Sequence, residues 1–271
     1  MERLDHLPVL YEMREQHVAL ITLNDEPTRN ALSRKIVAGL VNALDRALED
    51  SARGVVIAAN GRTFCAGANI ADLRDGWMEG RDPATDPTAA FEAIARFPRV
   101  VVAAIQGAAI GGGFELSLSC DLVVAEPQAW FALPELGHGV IPNTALARLP
   151  QVIGTRRSME LILTRRRVSC TEAFAMGLVS RVAEKDALTE AIALAKSIVA
   201  NAPPGAIAAA KRNLNAYAAT DWARVRASLS ELDSNEWQEG LDAFGERRDP
   251  DFEAAWRRLG ARHPADDGER R

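Results

Sequence analysis

Two glutamates are candidate acid–base groups because each sits alone among apolar residues. Glu115 follows three glycines in "AIQGAAIGGGFELSLSCDLV" (104–123), beside Phe114, Leu116 and Leu118, and Glu135 occurs twenty residues on in "FALPELG". Burial in such surroundings raises a carboxyl pKa, as a general acid or base working near neutral pH requires. The glycines, Gly111, Gly112 and Gly113, offer bare N–H groups where a helix begins. Such donors can hold a phosphate or a developing oxyanion. The phosphate readings fail on pattern. A P-loop needs Lys and then Ser or Thr, whereas Phe114 and Glu115 follow Gly113, and neither Gly107 nor Gly111 opens a complete GxGxxG. Glu135 falls where a dinucleotide fingerprint expects its ribose-binding acid, but it follows Pro134 in a turn-like context. An oxyanion site remains, with a tight packing turn as the alternative.

A second donor is available in "GRTFCAGANI" (61–70), where small residues again follow an apolar run, and the amide of Ala68 is the candidate. Two donors suit an enolate. Cys65 has no histidine paired with it in the motif and reads as a packed thiol. The four histidines, His6, His17, His138 and His263, form no metal-binding spacing, so no metal is expected, and His138 reads as a loop residue near Glu135. Arg156–Arg157 and Arg165–Arg166–Arg167 read as solvated helix ends or subunit contacts. Lys211–Arg212 and Arg247–Arg248 are candidates to hold the phosphates of a bulky anion.

Positioning such groups takes a scaffold, and 271 residues can supply one large α/β domain with a helical tail. A net charge of −5 argues against a dedicated nucleic-acid binder, which needs a cationic excess. Three widely spaced cysteines and a charged N-terminus without an apolar signal region point to a reduced, cytoplasmic setting. The longest uncharged stretch, 100–114, is too short and glycine-rich to span a bilayer, which takes about 20 apolar residues. "HVALITLND" reads as a strand, and a helix follows from an N-cap at Ser33 with a stripe of Ile36, Leu40, Leu44 and Leu48. "GVVIAAN" and "RVVVAAIQ" read as strands buried on both faces. Between them "WMEGRDPATDPTAA" reads as a mobile surface loop before the helix "FEAIARF". "NAPPG" (201–205) reads as a hinge, dividing a core of residues 1–200 from a helical lobe of residues 201–271.

Taken together these segments resemble the crotonase, or enoyl-CoA hydratase/isomerase, superfamily over nearly the whole chain. "LNDEPTRNALS" resembles its N-terminal segment and "FCAGANI" its first oxyanion loop. "GAAIGGGFELSLSCDLVVA" resembles its second oxyanion loop and helix, and "FALPELGHGVIP" the stretch bearing its second acid. "EAFAMGLVSRV" and "EGLDAFGERRDPDF" resemble its later segments. The resemblance implies the crotonase (ClpP-like) fold of repeated ββα units with a helical C-terminal lobe, assembled as a homotrimer or dimer of trimers. It implies that the amides of Ala68 and Gly112 hold the thioester oxygen of an acyl-CoA, that Glu115 is the base toward water and that Glu135 donates a proton to Cα. Arg29, Ala66, Asn69, Ile70, Gly111, Phe244 and Arg247 would line the CoA. No cofactor is implied beyond the CoA carried by the substrate. The function implied is hydration of a 2-enoyl-CoA. Double-bond isomerisation, a specialised dehydration, or a non-catalytic CoA-binding scaffold are the alternatives.

Several positions depart from the family pattern. "IPNTALARLP" replaces a glycine-rich stretch and puts Asn143 where relatives have Gly near the catalytic water. Asn69 stands for Asp, Ala71 for Lys, and Arg165 for Gly. These changes suggest a specialised acyl group.

Overall fold

Continuous apolar runs set the architecture. In β3 (Gly54–Ala59) and β5 (Val100–Ile105) nearly every residue is buried, so both faces of the sheet must be covered. The computed structural model describes residues 7–77, 86–217, 220–232 and 234–255. One sheet of six strands runs in the order β1 (Val9–Arg14), β2 (Val18–Leu23), β3, β5, β7 (Leu122–Ala125), β10 (Arg181–Val182). All its neighbours are parallel except the β1–β2 pair. The second sheet runs β4 (Thr63–Cys65), β6 (Ala108–Ile110), β8 (Trp130–Ala132), β9 (Val168–Ser169).

Alternation along each strand divides the sheet between two cores. Val55, Ile57, Val101, Ala103 and Ile105 face the larger one, under α1 (Arg34–Glu49), α3 (Pro87–Arg96) and α4 (Gly112–Ser119). Val56, Ala58, Val100, Val102 and Ala104 face the other, covered by Ala187, Ala191, Leu194 and Ala195 of α8 (Ala187–Asn201). Successive pairs β3–β4, β5–β6 and β7–β8 each send one strand to each sheet before a helix, which is the repeated ββα plan. The site loops lie where the short second strands of these units end.

The expected helix starts at the expected cap: Ser33 Oγ accepts from the Ile36 N–H, and Ile36, Leu40 and Leu44 are buried. Leu48 differs, being 44% exposed at the helix end where the core stops. β1 lay hidden in a charged-looking N-terminus, because an edge strand alternates buried and solvated residues. The loop expectation for residues 77–90 needs correction at its end. Asp86 caps α3 by accepting from the Thr88 N–H, with Pro87 in the first turn. The part at 78–85 lies outside the described residues.

The C-terminal helices α9 (Pro204–Tyr217), α10 (Trp222–Ala227) and α11 (Ser234–Glu246) return over the larger core. Lys211 of α9 corrects its reading as a phosphate ligand. Its Nζ is buried and donates to Asp121 Oδ2 at 2.8 Å and to the carbonyls of Arg99 and Ile94 at 3.1 and 3.4 Å. Lys211→Ala removes the paired cation from Asp121 while leaving it the Val101 N–H, and is expected to cost about 1 to 3 kcal/mol in urea unfolding, with Asp121→Ala/Lys211→Ala recovering part of the loss.

Candidate active site

Two loops from different ββα units meet edge to edge, and glycine makes the meeting possible. Gly111 precedes α4 with φ +54, a conformation that L side chains rarely adopt. A Cβ on Gly111 would lie 2.7 Å from Glu135 Oε1, and one on Gly112 would lie 2.9 Å from Leu32 Cδ1. A Cβ on Gly113 would overlap the Cys65 carbonyl oxygen. Each glycine therefore admits a different neighbour: an acid, the first oxyanion-like loop, and the strand beneath that loop.

The two candidate donor amides are set by this packing. Leu32 pairs with the segment around Ala68 as a parallel bridge, its N–H donating to the Gly67 carbonyl at 2.7 Å and its carbonyl accepting from Asn69 at 3.0 Å. Both flanking residues point at Leu32, so the Ala68 N–H points away from it, toward α4. Ala68 N stands 3.8 Å from where a Gly112 Cβ would be, and Gly112 N stands 3.5 Å from where a Gly67 Cβ would be. Neither amide has a hydrogen-bond partner among the described residues. Asn30, wholly buried, steadies the bridge from below by donating to the carbonyls of Asn60 and Thr63, both at 2.9 Å.

Glu115 lies in the first turn of α4 and is buried. Its Oε1 accepts from the Thr144 and Ala145 N–H groups at 2.8 and 2.9 Å, at the start of α5 (Asn143–Ile153). Burial pushes its pKa up to about 7, those two amides hold it back, and the charge of Asp86 adds to the rise. The Thr144 N–H is shared with Asn143 Oδ1 at 2.9 Å, while Asn143 Nδ2 donates to the Val225 carbonyl of α10 at 3.2 Å. Glu135 begins a 3-10 turn over Glu135–His138. Its pKa is raised well above the ordinary carboxyl value, first by burial and then by the charge of Glu115, and its Oε2 is buried without a partner. Both acids are raised and the charge of Glu115 opposes ionisation of Glu135, so the pair can hold one proton between them near neutral pH.

These groups share a cavity of about 640 Å³. Around it the structure brings together Glu115, Glu135, Ala68, Gly112, Arg29, Ala66, Asn69, Ile70, Gly111 and Phe244. Asn69 also caps α2 (Ile70–Asp72), accepting from Ala71 and Asp72 N–H groups. Arg247 stands elsewhere. It lines an adjoining outer cavity with Arg165 and Arg248, and Phe244, His138 and Pro134 border both spaces. Arg248 is engaged by Glu239 and Glu246. Arg165 is the exposed C-cap of α6 (Thr155–Thr164), the solvated helix end expected of it, and its guanidinium also lies against Gly137. Cys65 is fully buried, with its thiol pushed up to about 12 by burial, as a packed thiol should be.

Sequence reasoning missed Asp86, a third buried acid on the cavity wall, together with Thr88 and Leu229. The Asp86–Pro87 pair was a readable helix-start signal, submerged in a segment rich in turn formers. No local signal marks Leu229, which arrives from the C-terminal helices.

The chain matches the enoyl-CoA hydratase/isomerase family model over residues 13–255, and it belongs to that family. It is 33% identical over 246 residues to the 2,3-dehydroadipyl-CoA hydratase of Escherichia coli, covering 88% of this chain and 96% of that one. The carnitinyl-CoA hydratase structure from Mycobacterium avium has a TM-score of 0.80 at 32% identity, covering 92% and 99% of the two chains. An enoyl-CoA hydratase/isomerase structure from Pseudoalteromonas atlantica has a TM-score of 0.77 at 29% identity, covering 90% and 99%. Its α/β architecture is thus that of the crotonase-fold hydratases.

Two outcomes follow from the geometry. Glu115 titrates near 7 when folded against 4.5 as a free side chain, so the folded state keeps a proton that the unfolded chain has lost. Stability should therefore fall as pH rises through that window, and Glu115→Gln should flatten the fall when urea unfolding is compared at about pH 5 and pH 8. Gly111→Ala should cost about 1 to 2 kcal/mol for the positive φ and displace Glu135, read as lost turnover in folded protein.

Proposed function

We propose that this protein is an enoyl-CoA hydratase, adding water reversibly to a 2-enoyl-CoA to give the 3-hydroxyacyl-CoA. One observation carries the reading: two buried acids, both with raised pKa, beside two amides with no partner among the described residues, all facing one cavity. The Ala68 and Gly112 N–H groups donate to the thioester oxygen, which gains negative charge as the double bond is attacked. Ionised Glu115 takes a proton from a water whose oxygen bonds to Cβ. Protonated Glu135 then supplies the proton that forms the new C–H bond at Cα. The carbonyl re-forms as the enolate collapses, and the two acids exchange protonation states over the cycle. Each such oxyanion donor is worth about 10²- to 10³-fold in rate.

The reading asks for no cofactor beyond the CoA of the substrate. Its family basis also suggests a homotrimer or dimer of trimers in the cytoplasm. Phe244 reaches the cavity from α11 and is the residue suited to close over the CoA arm.

The test is loss of the enoyl-thioester absorbance across straight, branched and polar 2-enoyl-CoAs, with the reverse dehydration of 3-hydroxyacyl-CoAs. Glu115→Gln and Glu135→Gln are each expected to lower turnover by about 10²- to 10⁴-fold while leaving CoA binding largely intact. A double-bond shift without uptake of solvent oxygen would instead indicate isomerisation. Tight CoA binding with no turnover of any panel member would indicate a scaffold.

A further inference from the structure

We propose that α11 seats the turn bearing Glu135, and that Gly240 and Gly139 are positioning residues for that acid. The contact is backbone on backbone, in both directions. A Cβ on Gly240, which is buried on α11, would overlap the carbonyl group of His138. Reciprocally, a Cβ on Gly139 would overlap the Glu236 carbonyl and lie 2.8 Å from Trp237 N. With no side chain between the two elements, nothing can rotate to absorb a displacement. A shift of α11 must therefore shift the turn.

Beyond α11, the turn is held by Leu136, which packs against the larger core, and by contact with α6. Within it, the Gly137 N–H donates to the Pro134 carbonyl at 2.9 Å and the Val140 N–H to the Glu135 carbonyl at 3.2 Å. The guanidinium of Arg165 leans on Gly137 from another side. The Glu135 carboxylate at its start abuts Gly111 through Oε1 and is engaged by its own backbone N–H, while its buried Oε2 has no partner, so among the described residues nothing outside the turn hydrogen-bonds to it. The backbone beneath it decides where it sits.

The same helix roofs the cavity. Leu241 and Phe244 of α11 line it beside Glu135, and Phe244 meets His138 edge to face with centroids 5.4 Å apart. Arg74, in the π-helical turn Leu73–Trp77 that follows α2, donates to the Leu241 carbonyl at 2.9 Å. A ligand that presses on α11 thereby bears on the position of the acid. The inference rests on the reading of Glu135 as proton donor, and it adds the device that places the donor. The titratable and charged groups around the turn are Glu115 on α4, Asp86 at the head of α3, His138 within it, Arg165 beside it and Glu236 on α11.

Gly240→Ala should bind a non-reactive CoA thioether with nearly unchanged affinity while kcat falls about 10²-fold, the loss expected of a reacting group displaced by about 1 Å. Its kcat–pH profile should also move, because both limbs belong to the Glu115–Glu135 pair whose spacing the variant changes. Gln238→Ala is the control on the same helix, because its exposed side chain engages only Asp242 of that helix, and it should retain kcat. Wild-type kcat and both pH limbs in folded Gly240→Ala would overturn the proposal. If that variant does not fold, amide exchange of the wild-type protein decides. Residues 135–139 and α11 should open with one free energy and gain protection together when the thioether binds; independent opening of the turn would overturn the seating. An active Glu135→Gln would remove the donor reading instead, leaving the exchange result to judge the seating alone.

Discussion

The site depends on a stretch of backbone with no room for a β-carbon. At Gly111, Gly112 and Gly113 three parts of the chain press in: the Glu135 carboxylate, the Leu32–Ala68 bridge, and Cys65 on β4. A methyl group at any of the three would drive one of these away. The separation of the two amides, the reach of Glu135 and the start of α4 are thus consequences of one close approach. Gly113 meets backbone, the Cys65 carbonyl, whereas Gly111 and Gly112 meet the side chains of Glu135 and the fully buried Leu32, so a buried strand at one end and packed side chains at the other fix the approach.

Onto that frame the protein places charge where it is costly. The larger core surrounds Glu115 and Glu135 with apolar groups, and no cation compensates either one. Asp121 shows what a structural acid looks like in the same fold. Burial raises it too, but Lys211, Arg148 and the Val101 N–H all oppose the rise. The contrast separates a carboxylate that ties α9 to the sheet from two whose desolvation is left standing. A fold that tolerates such a penalty does so because its cores are extensive, and the penalty is what sets an acid and a base side by side near neutral pH.

Much of the scaffold was legible in the sequence. "GVVIAAN" and "RVVVAAIQ" can only be strands covered on both faces, and Ser33 announces its helix with a cap that the structure uses. Where the reading failed, long-range contacts had the final word. Lys211 reads as a candidate phosphate ligand until α9 folds back on Asp121, 90 residues away in sequence. Arg165 ends its helix exposed, as expected, and only the fold brings Gly137 against its guanidinium. β1 carries its charges outward from a sheet edge, so its composition disguised its pairing.

By itself the sequence determined which residues have the chemistry: two acids in apolar surroundings, and glycines where amides must be bare. These are local properties, fixed by side-chain type and neighbours along the chain. Only the tertiary structure decided which amides have no partner among the described residues, that both acids are desolvated together, and that Asp86, Asn143 and α11 share the cavity with them. Desolvation and hydrogen bonding are set by what arrives from elsewhere in the chain. Leu32 turning the Ala68 N–H toward α4, Thr144 and Ala145 cradling Glu115, and Gly240 lying on His138 are all contacts between segments far apart in sequence. Local pattern can name the groups, and packing alone sets their charge and aim.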